Sequence, residues 1–64
     1  GSKLRDHQAS IESILEKDPN SADAHYGLGV IYESLGDLIK ARAEWRKTIK
    51  SNPIHVEARN KLNM

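Results

Sequence analysis

Residues 25–53 read HYGLGVIYESLGDLIKARAEWRKTIKSNP, and apolar side chains recur through this stretch at helical spacing. In segments 22–35 and 37–51 they fall three, four and seven positions apart, which places them on one helix face. The two stripes contain Ala24, Leu28, Ile31, Tyr32 and Leu35, and Leu38, Ala41, Trp45, Thr48 and Ile49. Gly36 suits the left-handed turn after a helix, and Asp37 suits the N-cap of the next helix. This stretch predicts two antiparallel helices.

Two more helices are predicted, one on each side of this pair. Segment 3–17 carries a similar stripe, formed by Leu4, Ile11, Ile14 and Leu15, and segment 54–63 carries a weaker one, formed by Val56, Ala58, Arg59 and Leu62. Pro19 and Pro53 separate the helices, because proline cannot continue a preceding helix, and Ser21 can cap the helix that follows. No segment indicates a strand. The predicted fold class is all-α, with four antiparallel helices joined by tight turns.

The chain also repeats itself with a period of 34 residues. Pro19 and Pro53 are separated by that distance, and several other positions match at the same offset. These pairs are Leu4 with Leu38, Ile11 with Trp45, Ala24 with Ala58, Leu28 with Leu62, Leu15 with Ile49, and Val30 with Met64. A fixed period built from two helices is typical of solenoid proteins, in which units stack on one another.

The spacing of particular residues resembles the tetratricopeptide repeat. In that family's pattern a large residue is followed by Leu-Gly, Tyr, Ala, a large aromatic residue and Pro at fixed distances. This chain has His25, then the residues for which the resemblance implies a structural role: Leu28, Gly29, Tyr32, Ala41, Trp45 and Pro53. Small Gly29 and Ala41 would let two helices approach closely. The departures from the pattern are His25, Thr48 in place of a small residue, and His7 at the position equivalent to Ala41.

The resemblance implies a division of the chain into repeat units. Residues 3–21 correspond to the second helix of a preceding repeat, 22–55 to a complete repeat, and 56–64 to the first helix of a following one. Gly1-Ser2 is interpreted as a remnant of an expression tag. The chain is therefore expected to be a piece of a longer protein.

In this family the first helix of each unit lines a concave surface that binds peptides or helices of partner proteins. Carried over to this sequence, that face also includes Gly27, and the predicted partner-binding residues are Asp23, Tyr26, Val30, Glu33, Ser34, Glu57, Asn60 and Lys61. Tyr26 and Val30 lie one turn apart and would form an apolar strip. Both could instead pack against a neighbouring helix. A chaperone-type carboxylate clamp is not expected, because Tyr26 and Val30 occupy positions where that clamp needs polar residues.

The composition gives little indication of any other class of function. The 64 residues include no cysteine, and ten basic against nine acidic residues give a net charge of +1. This balance does not favour nucleic acid or an anionic membrane as a partner. Arg42, Arg46 and Lys50 form a basic stripe, with Lys40 and Lys47 nearby. An acidic partner or a phosphate backbone could bind this stripe, but a solvated helix face is the favoured interpretation, and Lys40 is expected to pair with Glu44.

Neither a metal site nor an active site is predicted. His7, His25 and His55 lie in different segments without the close ligand spacing of a zinc site. Gly27 and Gly29 lie within a helix and cannot form a phosphate-binding loop. No nucleophile–base pattern is present, so no cofactor and no catalysis are expected.

Self-assembly is the alternative interpretation. Solenoids usually need about three repeats for stability, and this chain has fewer than two. The outer faces of helices 3–17 and 54–63 would then be covered by other copies of the chain, through end-to-end stacking or helix exchange.

Overall fold

Four helices make up the described part of the chain. The computed structural model describes the backbone of residues 2–63 and the side chains of residues 3 and 5–63. The helices are α1 (Ser2–Lys17), α2 (Ala22–Ser34), α3 (Leu38–Ser51) and α4 (Val56–Leu62), and no strand is present among residues 2–63. The prediction of an all-α fold is confirmed. Leu4 and Met64, which enter two of the repeat pairs, have side chains outside the described set.

Each turn between helices is held by local hydrogen bonds. Ser21 Oγ accepts from the Ala24 N–H at the start of α2, and Asp37 Oδ1 accepts from the Lys40 N–H at the start of α3. Gly36 has a φ of +83°, a left-handed backbone conformation that residues other than glycine rarely adopt. The turn residues expected from the sequence therefore act as caps and as a helix stop.

The closest packing joins α2 to α3 at Gly29 and Trp45. A Cβ added at Gly29 would lie 2.6 Å from Trp45 Cδ1, so only glycine allows the indole to pack this closely. Trp45 is only 2 % exposed, and its burial contributes about 1.5–3 kcal/mol. The indole N–H has no acceptor among the described residues, which costs about 1–3 kcal/mol. This contact also offsets the low helix propensity of Gly29.

A second cluster joins α1 to α2. Ile11 of α1 packs with Ala24, Leu28 and Ile31 of α2, and Leu15 covers their edge. A Cβ at Gly27 would lie 3.0 Å from Ile11 Cδ1, so Gly27 faces α1 as well. The expected place of Gly27 on the concave face stays a prediction.

The described parts of the chain repeat in space as they do in sequence. Ala24 and Ala58 are both buried, as are Ile11 and Trp45, although each pair is separated by 34 positions. Ile49 and Leu62 pack around Trp45 and Ala58, as Leu15 does around Ile11. Because α2 packs on α1 and α4 packs on α3 in the same way, the 34-residue period is a structural repeat.

Several details differ from the sequence interpretation. Pro53 was expected in the structural core, but it is exposed in the turn before α4, where it ends α3. Leu35 and Leu38 are also exposed, because they flank the turn and extend beyond the packed part of α2 and α3. Thr48 is fully buried and causes no packing defect, since its hydroxyl donates to the Glu44 carbonyl at 3.0 Å.

The expected pair between Lys40 and Glu44 is absent. Lys40 lies 3.8 Å from Asp37, whereas Glu44 is buried and contacts His25 and Lys47. None of the four helices in residues 2–63 combines the length and apolar character needed to cross a bilayer.

Candidate functional site

A groove lies between α2 and α4, both of which pack against α3. Here we use "the groove" for the surface formed by the side chains of Tyr26, Glu57, Asn60 and Lys61, which line a cavity of about 290 Å³. Tyr26 comes from α2 and the other three residues come from α4, so neither helix forms the cavity alone. The two helices adjoin because Tyr26 of α2 and Ala58 of α4 both pack in the cluster around Trp45 of α3.

One end of the groove is fixed by His55. This residue is the N-cap of α4, where its Nδ1 accepts from the Ala58 N–H at 3.3 Å. Nε2 must then carry the proton, and it donates to Asp23 Oδ1 of α2 at 3.1 Å. The imidazole is buried and its ring centre lies 5.0 Å from that of Tyr26. His55 therefore links the starts of α2 and α4 and holds Tyr26 in place.

An ion pair links the two helices further along. Lys61 Nζ of α4 donates to Glu33 Oε1 of α2 at 2.9 Å and lies 5.5 Å from the centre of the Trp45 ring. The hydrogen bond to Glu33 raises the pKa of Lys61 above its ordinary value, and the charges of Glu33 and Tyr26 add to the rise while burial opposes it. The Lys61 ammonium is thus fixed above the core and has a partner within the chain.

The predicted partner-binding residues divide into three groups. Tyr26, Glu57, Asn60 and Lys61 line the cavity. Asp23 and Glu33 lie at the same α2–α4 boundary, where they bond to α4 or its cap. The half-buried Val30 and the exposed Ser34 do not line the cavity. Four of the eight predicted positions therefore line the cavity between α2 and α4, and a role of any of the eight in binding stays a prediction.

Sequence reasoning missed the role of His55. Histidine is not among the preferred N-cap residues, so the cap was not recognised. The available signal was the repeat itself, because His55 lies 34 positions after Ser21, which caps α2.

Sequence reasoning also missed a buried polar cluster on α3. Glu44 is 8 % exposed, and its carboxylate lies 2.9 Å from His25 Nδ1 and 3.3 Å from Lys47 Nζ. His25 Nε2 lies 2.8 Å from the Pro19 carbonyl oxygen. Since both partners of the imidazole are acceptors, both contacts become hydrogen bonds when the two ring nitrogens carry protons. The signal was the position of Glu44 between Ala41 and Thr48 on the buried stripe.

The groove offers an aromatic ring, an amide, the Glu57 carboxylate and the Lys61 ammonium, which is paired with Glu33. In the part of the chain that the structure describes, no three His, Cys, Asp or Glu side chains lie close enough together to hold a metal ion. His7 is exposed on α1 and far from this boundary in the sequence.

Comparison with known proteins agrees with the family resemblance seen in the sequence. A family model described as tetratricopeptide repeat matches residues 11–43, from α1 into α3. Superkiller protein 3 of Schizosaccharomyces pombe is 34% identical over 59 residues, which are 92% of this chain and 4% of that protein. FK506-binding protein-like of Mus musculus is 36% identical over 53 residues, 83% of this chain and 15% of that protein. The chain thus spans a small part of either relative. No solved structure gives a significant match.

Proposed function

Because the chain belongs to the tetratricopeptide-repeat family, a family of protein-interaction repeats, we propose that its groove binds a peptide segment of a partner protein. The proposed contact residues are Tyr26, Glu57, Asn60 and Lys61, with Asp23, Val30, Glu33 and Ser34 at the margins. This binding requires no cofactor and no catalytic step.

The observation that carries the proposal is the groove cavity of about 290 Å³. It is large enough for one medium-sized side chain, and it is lined by residues from two consecutive units. The ring of Tyr26 supplies an apolar surface, while the Asn60 amide can donate to and accept from a peptide backbone. Tyrosine is enriched among residues that dominate binding energy at interfaces.

The mechanism is the complementarity of a preformed surface. Three contacts hold α2 against α4 before any partner arrives: Asp23 with His55, Tyr26 with His55, and Glu33 with Lys61. A fixed groove loses less conformational entropy on binding than a flexible one. The partner segment then contributes an apolar side chain to the cavity and backbone groups to its rim.

The test is a selection of peptides from a random library on the 64-residue chain, followed by affinity measurements on variants. We expect selected peptides to lose about tenfold or more in affinity for Tyr26→Ala and less for Asn60→Ala. Arg59→Ala is the matched control, since Arg59 is exposed on α4 but does not line the cavity. Equal affinity for Tyr26→Ala, Asn60→Ala and the intact chain would refute the groove as the binding site. Circular dichroism checks that each variant is folded.

A second candidate function is self-assembly, for which we infer end-to-end stacking of copies. Its support is the exposure of apolar side chains at both ends of the array: Ile14 of α1 is 49% exposed, and Ile54 before α4 is 79% exposed. Sedimentation equilibrium over a wide concentration range tests this candidate. Stacking predicts a mass that rises with concentration and falls back in Ile14→Glu. A constant monomer mass would remove self-assembly from consideration and leave the groove proposal untouched.

A further inference from the structure

A second cavity lies outside the groove. It has a volume of about 600 Å³, twice that of the groove cavity, and none of its lining residues belongs to the groove. We call it the turn cavity. It is lined by Pro19, Asn20, His25, Lys47, Lys50 and Ser51. They come from the turn before α2, the first turns of α2, and the last two turns of α3.

The wall of this cavity is a fixed structure. His25 bridges the two sides, because its ring nitrogens lie 2.8 Å from the Pro19 carbonyl oxygen and 2.9 Å from the Glu44 carboxylate. Glu44 is buried behind the wall and also holds Lys47 at 3.3 Å. Both nitrogens of His25 are therefore occupied, and the imidazole positions the turn against α3. This leaves the polar groups of other lining residues to face a ligand.

The polar groups of the lining select for negative charge. Lys47 and Lys50 lie three positions apart on α3, and both line the cavity. Asn20 and Ser51 add an amide and a hydroxyl, and no carboxylate residue lines the cavity. Glu44 offsets the charge of Lys47, whereas Lys50 forms no ion pair within residues 2–63. The site therefore carries a net positive charge beside neutral hydrogen-bonding groups.

We propose that the turn cavity binds a carboxylate side chain from an acidic segment of a partner protein. The ligand class follows from the lining: lysine ammonium groups on flexible stems bind carboxylates as point charges, and Asn20 and Ser51 can complete the hydrogen bonds of a carboxylate or its peptide backbone. The turn cavity shares no lining residue with the groove, so a partner could bind to one of the two sites while the other stays empty. It gives Lys47 and Lys50 a role that the exposed Arg42 and Arg46 of the same helix lack.

Nuclear magnetic resonance on the intact 64-residue chain tests this proposal, with hexaglutamate as the probe and hexaglutamine as its uncharged counterpart. At low ionic strength we expect hexaglutamate, but not hexaglutamine, to shift the backbone amides of Asn20, Lys47, Lys50 and Ser51. Lys50→Glu should weaken binding about fivefold or more, and Lys50→Gln by a smaller factor. Arg46→Glu makes the same charge change on α3 outside the cavity, and it should retain the affinity of the unchanged chain.

Four outcomes would overturn the proposal. Equal weakening by Arg46→Glu and Lys50→Glu would show attraction to the general charge of α3 without a defined site, and shifts spread along α3 would have the same meaning. No shifts at all would show that the cavity does not bind an acidic peptide. If inorganic phosphate shifts the cavity amides while hexaglutamate does not, the ligand is a phosphate group and the assignment to an acidic peptide is wrong. A failure of the groove proposal changes none of these results, because the probe and the variants are different.

Discussion

The chain has two equivalent junctions, which are the turns before α2 and before α4 with the helix contacts beside them. They share a backbone hydrogen bond and differ in their side chains. In the turn before α2, the Ser21 N–H donates to the Asp18 carbonyl, and in the turn before α4 the His55 N–H donates to the Asn52 carbonyl, both at 3.1 Å. Ser21 caps only its own helix. His55 caps its helix and also reaches α2 through Asp23. The repeat thus determines the path of the backbone, whereas the side chains on that path determine which helices are linked.

The same contrast extends to the packing below each turn. Ile11 and Trp45 occupy equivalent positions, and each is covered by the equivalent residue of the next helix. Gly27 lies directly against Ile11, whereas Lys61 places its ammonium above the Trp45 ring. The second junction therefore has a larger buried side chain and a charged cover, and we expect it to contribute more to stability.

The largest expected effect comes from the core positions of the two junctions. Trp45→Ala should cost about 3–5 kcal/mol, which equals the whole stability expected of a domain this small, so the chain should unfold at 25 °C. Ile11→Ala should cost about 2 kcal/mol, since Ile11 packs at the open end of the array. Urea denaturation followed by circular dichroism measures both. Equal losses would mean that the junctions are energetically equivalent.

The next effect separates the two caps. Ser21→Ala should lower the free energy of unfolding by about 1 kcal/mol through loss of the capping bond. His55→Ala should lower it by about 2 kcal/mol, because the bond to Asp23 and the contact with Tyr26 are lost as well. His55→Ser restores a cap without the link to α2, so its stability should fall between that of His55→Ala and that of the unchanged chain. Thermal melts of the three variants give the order, and a His55→Ser variant as stable as the unchanged chain would contradict a role for the Asp23 bond.

A smaller effect concerns pH and the charged cover of the second junction. Because the hydrogen bond to Glu33 raises the pKa of Lys61, the ion pair stabilises the fold fully below the ordinary lysine value of 10.5. That contribution is lost as the pH rises through the higher folded-state value. Glu33→Gln should lower the pKa of Lys61, measured by the titration of its Cε resonance. An unchanged Lys61 titration in Glu33→Gln would refute the link.

The smallest effect on stability is expected where the two junctions have the same side-chain hydrogen bond. Asp18 Oδ1 accepts from the Asn20 N–H at 3.3 Å, and Asn52 Oδ1 accepts from the Ile54 N–H at 3.2 Å. Both side chains form the same local turn, so Asp18→Asn and Asn52→Asp should each change the unfolding free energy by less than about 0.5 kcal/mol. Denaturation midpoints measure the changes. A larger loss at one site would show a contact that the other lacks.

Periodicity predicted the features that depend on backbone and size. The spacing of Pro19, Pro53, Gly36 and the apolar stripes determines where helices end and which faces pack, because these are local properties of the chain. Glu44 shows where such reasoning fails. Its burial depends on His25, which is nineteen positions away, and residue type alone suggested a surface pair with Lys40.

The groove was predicted to the level of helices and not of individual side chains. Tyr26, Asn60 and Lys61 line the cavity because the family pattern places these faces together. Val30 is half-buried and does not line the cavity, whereas Tyr26, one turn earlier on α2, does. The division into units at residues 22 and 55 stays a prediction.

The position of Trp45 makes the chain its own optical probe. It is the single tryptophan of the sequence, it is almost wholly shielded from water, and it lies between Gly29 and the ammonium of Lys61. Its fluorescence therefore senses both the helix contact that sustains the fold and the charged side chain that borders the groove. A ligand that displaces Lys61 would change the emission while the helices stay intact, whereas unfolding would move the emission to longer wavelengths. Occupancy and unfolding can thus be followed separately without a label.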